Sequence, residues 1–141
     1  MRVIPKLNEN KKLIIKNKIK NIIEKKNEII FAYVHGSFML DIPFHDVDVA
    51  VFLHDHYLKD IITLDYEIQL SIELELVLKL PIDVKTINNK PLSFQYNVTK
   101  GKVLFCKEKQ VLYNFIEITW MKYLDYKFYL DEAFKYLFHI G

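Results

Sequence analysis

Two short apolar runs constrain this chain more than any other feature: Ile29-Ile30-Phe31-Ala32-Tyr33-Val34-His35 and Val47-Asp48-Val49-Ala50-Val51-Phe52. Both are rich in β-branched and aromatic side chains, which suit a pleated, half-buried surface better than a helix. A polar loop with Gly36, Ser37, Asp41, Pro43, His45 and Asp46 joins them. The two runs read as strands, and a sheet needs other elements to cover its faces.

Those elements are legible on either side. Ile15, Ile19, Ile22 and Ile23 recur at helical spacing, which predicts a helix capped by Asn8 or Asn10 and running to about Lys26. Residues 58–80 carry two signals. Every even position from Ile68 to Leu80 is apolar, the period of a strand, but the Leu, Glu, Gln and Lys content favours helix. Helix is the expectation here, ended by Pro81. Ile82 to Ile87 reads as a third strand. Pro91 opens a short helix closed by Gly101, and Val103 to Cys106 reads as a fourth, edge strand. Leu112, Phe115, Ile116, Thr119 and Tyr123 predict a helix over about 110–124, and Leu130, Phe134, Leu137 and Phe138 a last helical segment over 130–138. Helices interleaved with short strands indicate an α/β or α+β domain.

Composition narrows the function classes. With 141 residues, 51% hydrophobic and 27% charged, the expectation is one domain spanning 1–141 with a single core, and not a disordered chain. Three Gly and four Pro exclude collagen-like and linker-rich classes. One cysteine, Cys106, permits neither an internal disulfide nor a thiolate zinc site, which suits a reducing, cytoplasmic setting. No apolar run approaches the roughly 20 residues that span a bilayer, and no secretory signal is visible. Nine Lys/Arg against three Asp/Glu make residues 1–28 basic. Arg2 is the only arginine and no aromatic lies among these lysines, so a solvated helix face is expected and nucleic acid is not the expected partner.

The chemistry lies in 34–51. A strand delivers Gly36-Ser37, where glycine allows close backbone approach and a following helical turn would offer free N–H groups to a phosphate. Asp46 and Asp48 follow, one residue apart at the start of a strand, so alternation places both carboxylates on one face while Val47, Val49 and Val51 face the core. Two like charges side by side repel unless a cation lies between them, and oxygen ligands suit Mg²⁺. Gly-Ser and Asp-x-Asp are each common by chance; in order, between two strands, they point to metal-assisted phosphoryl or nucleotidyl transfer.

This Gly-Ser, loop, Asp-x-Asp segment resembles the signature of the nucleotidyltransferase superfamily that includes DNA polymerase beta and kanamycin nucleotidyltransferase. The small size is similar to the minimal nucleotidyltransferases (MNT proteins), whose MntA-type antitoxin branch is paired with a HEPN-domain toxin. The likeness extends to Asp83 on a later strand, to Pro91-Leu92, to Gly101-Lys102-Val103-Leu104-Phe105 and, more weakly, to Tyr123-Leu124-Asp125. It implies a nucleotidyltransferase fold with a small mixed β-sheet flanked by helices. It implies that Gly36 and Ser37 hold the nucleotide phosphates. Asp46, Asp48 and Asp83 would then bind two Mg²⁺ ions, with Asp83 also helping to take a proton from the acceptor. It further implies transfer of AMP from ATP to a tyrosine of a cognate HEPN ribonuclease toxin within a hetero-oligomer. Two alternatives stand beside it: a catalytically weak antitoxin that acts by occlusion, and nucleotidyl transfer to a small molecule or RNA. Asp41 stands where the family commonly has Gly or Arg, and His45 where it has Ser. A carboxylate at position 41 either repels a triphosphate or points to solvent.

Other candidates are weaker. His54-Asp55-His56 is expected in a surface turn rather than as a metal site, and His35 is expected to be packed, against bound nucleotide. Ser37 lacks the Gly-x-Ser-x-Gly elbow of a hydrolase. Lys100 and Lys102 are expected to be exposed, and Cys106 to be a small core residue. Of the twenty Phe, Tyr and Trp residues, ten lie in 113–138, more than one helix face can bury. The surplus is expected to serve a partner or self-association.

Overall fold

The computed structural model describes residues 3–138. Four strands form one mixed sheet: β1 (Ile29–His35), β2 (Val47–Leu53), β3 (Ile82–Thr86) and β4 (Lys102–Cys106), in the order β3-β2-β1-β4. β1 pairs antiparallel with β2 and β4, and β2 pairs parallel with β3. A parallel pair needs a crossover, and α2 (Asp55–Leu58) and α3 (Thr63–Leu78) supply it. The predicted fourth strand is an edge strand.

Alternation along the strands feeds two cores. Val47, Val49, Val51, Leu53, Ala32 and Val34 point to a layer containing α1 (Glu9–Ile23) and α3. Phe31, Tyr33 and Ala50 point the other way, against Val98 of α4 (Leu92–Thr99) and Leu112 and Phe115 of α5 (Lys109–Phe138). Each fully buried aliphatic or aromatic side chain contributes about 1.5–3 kcal/mol, so this double burial fixes the register that places the site.

Several expectations are refined. Asn8 is the N-cap of α1, accepting from the Lys11 N–H at 2.8 Å. The basic face of α1 is not wholly solvated: Lys12 is only 4% exposed, donates to the Leu40 carbonyl at 2.8 Å and lies over the Phe38 ring. Its ammonium pins α1 to the turn after Gly36. Residues 58–80 are not one helix, because α2 ends at Leu58 and α3 starts at Thr63. α3 stops at Leu78 in a left-handed Lys79 (φ 58°) before Pro81 acts. The two predicted C-terminal segments are one 30-residue helix, since no Gly or Pro interrupts 109–138. His54-Asp55-His56 opens α2 rather than lying in a simple turn, and His54 Nε2 is 3.8 Å from a Glu108 carboxylate oxygen. Cys106 is partly exposed at the margin of the second core.

Candidate functional site: a carboxylate triad at a strand start

β1 ends at His35, and Gly36 turns the chain into a single 3₁₀ turn, Ser37–Met39. Gly36 has φ 78° and ψ −162°, a region open essentially to glycine alone. A Cβ at this position would also run into the Asp48 carboxylate. Position 36 is therefore glycine for two independent reasons, and the second ties the turn to the carboxylate beneath it. Phe38 is fully buried edge-on to Phe44, which anchors the loop between turn and strand.

Asp46 precedes β2 and Asp48 lies within it, while Val47 and Val49 hold the core side. Parallel pairing sets Asp83 of β3 directly beside Asp48, and antiparallel pairing sets His35 on its other side. Asp46, Asp48 and Asp83 each offer a carboxylate oxygen within 4.8 Å of the others, the one such group of metal-ligand type among the described residues. Sequence reasoning named all three, and the sheet brings them together beside Gly36.

The electrostatics follow from that crowding. Burial, then the charges of Asp46 and Asp83, push the Asp48 carboxyl up to about 7, against some relief from Lys85. Burial and Asp83 raise Asp46 as well, with His45 and Lys85 opposing. Lys85, 3.5 Å from Asp83, is the positive charge built into the cluster. Sequence reasoning missed it, although its place two residues after Asp83 put it on the same face. Burial lowers the His35 imidazole below its ordinary value despite the nearby Asp83. Its Nε2 is buried without a hydrogen-bond partner, and its ring stands edge-on to Phe94. Asp41 points to solvent and is 3.6 Å from Lys6, so its carboxylate is turned away rather than aimed into the turn. Lys100 and Lys102 are exposed, with the Lys100 ammonium over the Tyr96 ring.

The edge strand β3 is held by side chains instead of another strand. Along α3, Glu67, Ser71 and Glu75 accept from the N–H groups of Thr86 (2.6 Å), Val84 (2.9 Å) and Ile82 (3.0 Å). Four residues of helix rise about 6 Å and two residues of strand about 6.6 Å, so every fourth helix position meets every second strand amide. Lys90 completes the latch with a 2.7 Å bond to Glu67. Burial raises the Glu67 carboxyl, but Lys90 and the Thr86 amide outweigh it and hold it below its ordinary value. Asp83 and Lys85, between the latched amides, are thus fixed in place.

An all-oxygen donor set, three crowded carboxylates and a side-chain-free turn above them fit a hard divalent cation. This sheet with such a cluster at the start of β2 defines an α/β domain of nucleotidyltransferase type. Residues 17–110 match the family described as Polymerase beta, Nucleotidyltransferase, and the chain belongs to that family. No curated protein matches the sequence. Solved structures match the fold. A chain from the complex of a tri-AMPylated Shewanella oneidensis HEPN toxin with MNT antitoxin is 18% identical with a TM-score of 0.68, over 89% of this chain and 98% of that one. The toxin–antitoxin MntA–HepT gives 17% identity and 0.67, over 89% and 97%. A toxin–antitoxin complex with AMP-PNP gives 20% identity and 0.65, over 93% and 98%. Among the described residues no helix is long and apolar enough to cross a membrane.

Proposed function

We propose that this chain is the antitoxin of a HEPN/MNT pair and transfers AMP from ATP to a tyrosine of its cognate HEPN-domain toxin, silencing it. The observation that carries this reading is the convergence of Asp46, Asp48 and Asp83 beside the glycine turn of a nucleotidyltransferase fold. Similarity to MNT chains solved with HEPN toxins, one of them tri-AMPylated, supports the partner and the reaction.

Asp46, Asp48 and Asp83 would hold Mg²⁺, two ions by family resemblance, which supplies charge neutralisation for the attacking and leaving oxygens. Gly36 and Ser37 receive the phosphates: with no side chain at position 36, backbone N–H groups are open to them. The tyrosine oxygen forms a bond to the α-phosphorus. The bond from that phosphorus to the bridging oxygen breaks, and pyrophosphate leaves with the electron pair. The phenolic proton passes to a carboxylate oxygen, the role assigned to Asp83. His35, with its buried and unpartnered Nε2, packs edge-on to Phe94 beside this turn. A reducing, cytoplasmic setting fits the single Cys106.

The second reading, a binding antitoxin acting by occlusion, draws on α5. Phe128, Tyr129, Phe134, Tyr136, Leu137 and Phe138 are each more than half exposed, an apolar surface suited to a partner. Asp46→Asn separates the two. If the variant still binds the toxin but no longer protects growth, the antitoxin acts by catalysis. Undiminished protection would leave occlusion as the mechanism.

A further inference from the structure

Among the described residues Lys12 is the one buried lysine, 4% exposed, and the transfer chemistry above does not use it. Lysine is almost never buried without an ionic partner, because its ammonium leaves water at a high cost. Among the described residues no carboxylate pairs with Lys12. The fold gives its ammonium a 2.8 Å bond to the Leu40 carbonyl and a place over the Phe38 ring, 5.6 Å from the centroid.

Both contacts belong to the turn that follows Gly36. Met39 donates its N–H to the Gly36 carbonyl at 3.0 Å, and Leu40 donates to the Ser37 carbonyl at 3.0 Å. Hydrogen bonds therefore run from Lys12 through Leu40 to Ser37, one of the two residues assigned to the phosphates. The turn also needs a cation from elsewhere. Residues 36–48 contain no Lys or Arg but three aspartates, Asp41, Asp46 and Asp48. Exposed Lys6 is taken up by Asp41, and Lys85 by Asp83. Lys12 is the positive charge fixed at the turn itself, and burial keeps it from being screened by salt. A clamp for stability alone needs no charge, since an apolar side chain of similar length avoids the cost of burying an ammonium.

We propose that Lys12 is a positioning residue for the nucleotide. From behind the turn, its ammonium holds residues 36–40 in the conformation that receives the phosphates and supplies the positive charge that segment lacks. This role rests on the nucleotide reading above and adds a residue of α1 to the site.

Lys12→Met, which keeps the side-chain length and removes charge and donors, tests it beside Lys12→Arg and Ile19→Val. Ile19 is a fully buried core residue of the same helix, so its variant loses stability without touching the turn. Lys12→Met should melt at or above the wild-type temperature, while its dissociation constant for AMP-PNP with Mg²⁺, read by titration calorimetry, rises about ten-fold or more. Lys12→Arg keeps charge and donors and should recover most of that loss. Ile19→Val should melt lower and bind like wild type. Unchanged affinity in Lys12→Met would overturn the inference, as would Lys12→Arg binding no better than Lys12→Met. An affinity loss that follows a lowered melting temperature in Lys12→Met and Ile19→Val alike, or a Lys12→Met chain that does not fold, would assign Lys12 to the fold alone and overturn it too. A wild-type chain that does not bind AMP-PNP with Mg²⁺ would overturn the nucleotide reading itself, and this role with it. If wild type binds AMP-PNP but leaves the toxin unmodified, transfer fails and the affinity comparison still decides Lys12.

Discussion

Asp48 is the residue where the fold works against itself. Its carboxyl is pushed up to about 7, first by burial and then by Asp46 and Asp83. In metal-free protein the folded state therefore keeps a proton that the unfolded chain releases near pH 4. That group's contribution to stability is full below pH 4 and is lost as pH rises to about 7. Thermal melts in EDTA should show Asp48→Asn gaining on wild type as pH increases from 5 to 8, with little difference at pH 4. Added Mg²⁺ should stabilise wild type increasingly as pH rises and leave Asp48→Asn nearly unmoved, because the cation must displace that proton. Gly36→Ala should cost on the order of 1–3 kcal/mol in denaturant melts, since alanine is strained at this φ and ψ and its methyl meets the Asp48 carboxylate. Gly36, Ser37, Asp46 and Asp48 were legible in the sequence because strand, turn and strand are contiguous, so spacing alone fixes their faces. Lys12 and Lys85 were not. The burial of Lys12 depends on a carbonyl 28 residues away, and the partner of Lys85 becomes part of the cluster only when β3 pairs with β2.

At the scale of elements, the α3–β3 latch decides how firmly the third carboxylate is held. Glu67→Ala leaves the buried Thr86 amide without its acceptor and Lys90 without its carboxylate, with only the Thr86 hydroxyl still bonded to it, which should cost about 1–3 kcal/mol. Glu67 is held below its ordinary value, so its contribution is present above about pH 4.5 and falls away as pH drops through the lowered value. Glu67→Gln should flatten that acid limb in urea melts across pH 2.5–6. Strand and helix types were readable from composition, but the latch was not. It pairs residues 19, 13 and 7 apart that mean nothing until helix and strand lie alongside. The period-2 pattern of α3 misleads for a related reason: two opposite apolar faces of a helix mimic strand alternation. α5 appeared as two segments because its apolar spacing lapses near 125–129, where no Gly or Pro interrupts the helix.

Across the whole molecule, the triad lies where β1, β2 and β3 meet, and the end of α5 carries an exposed apolar surface. Short helical stretches without tertiary packing are marginal in water, so amides of 127–138 should exchange quickly in the free protein and slowly in the toxin complex, read by hydrogen-exchange mass spectrometry. The most direct test of nucleotidyl transfer is intact mass spectrometry of the cognate HEPN toxin after incubation with this protein, ATP and Mg²⁺, with Asp46→Asn/Asp48→Asn in parallel. A gain of whole AMP units with wild type, and none with the double variant, is the predicted result. An unmodified toxin that still co-purifies with the wild-type chain would contradict transfer and leave a binding antitoxin.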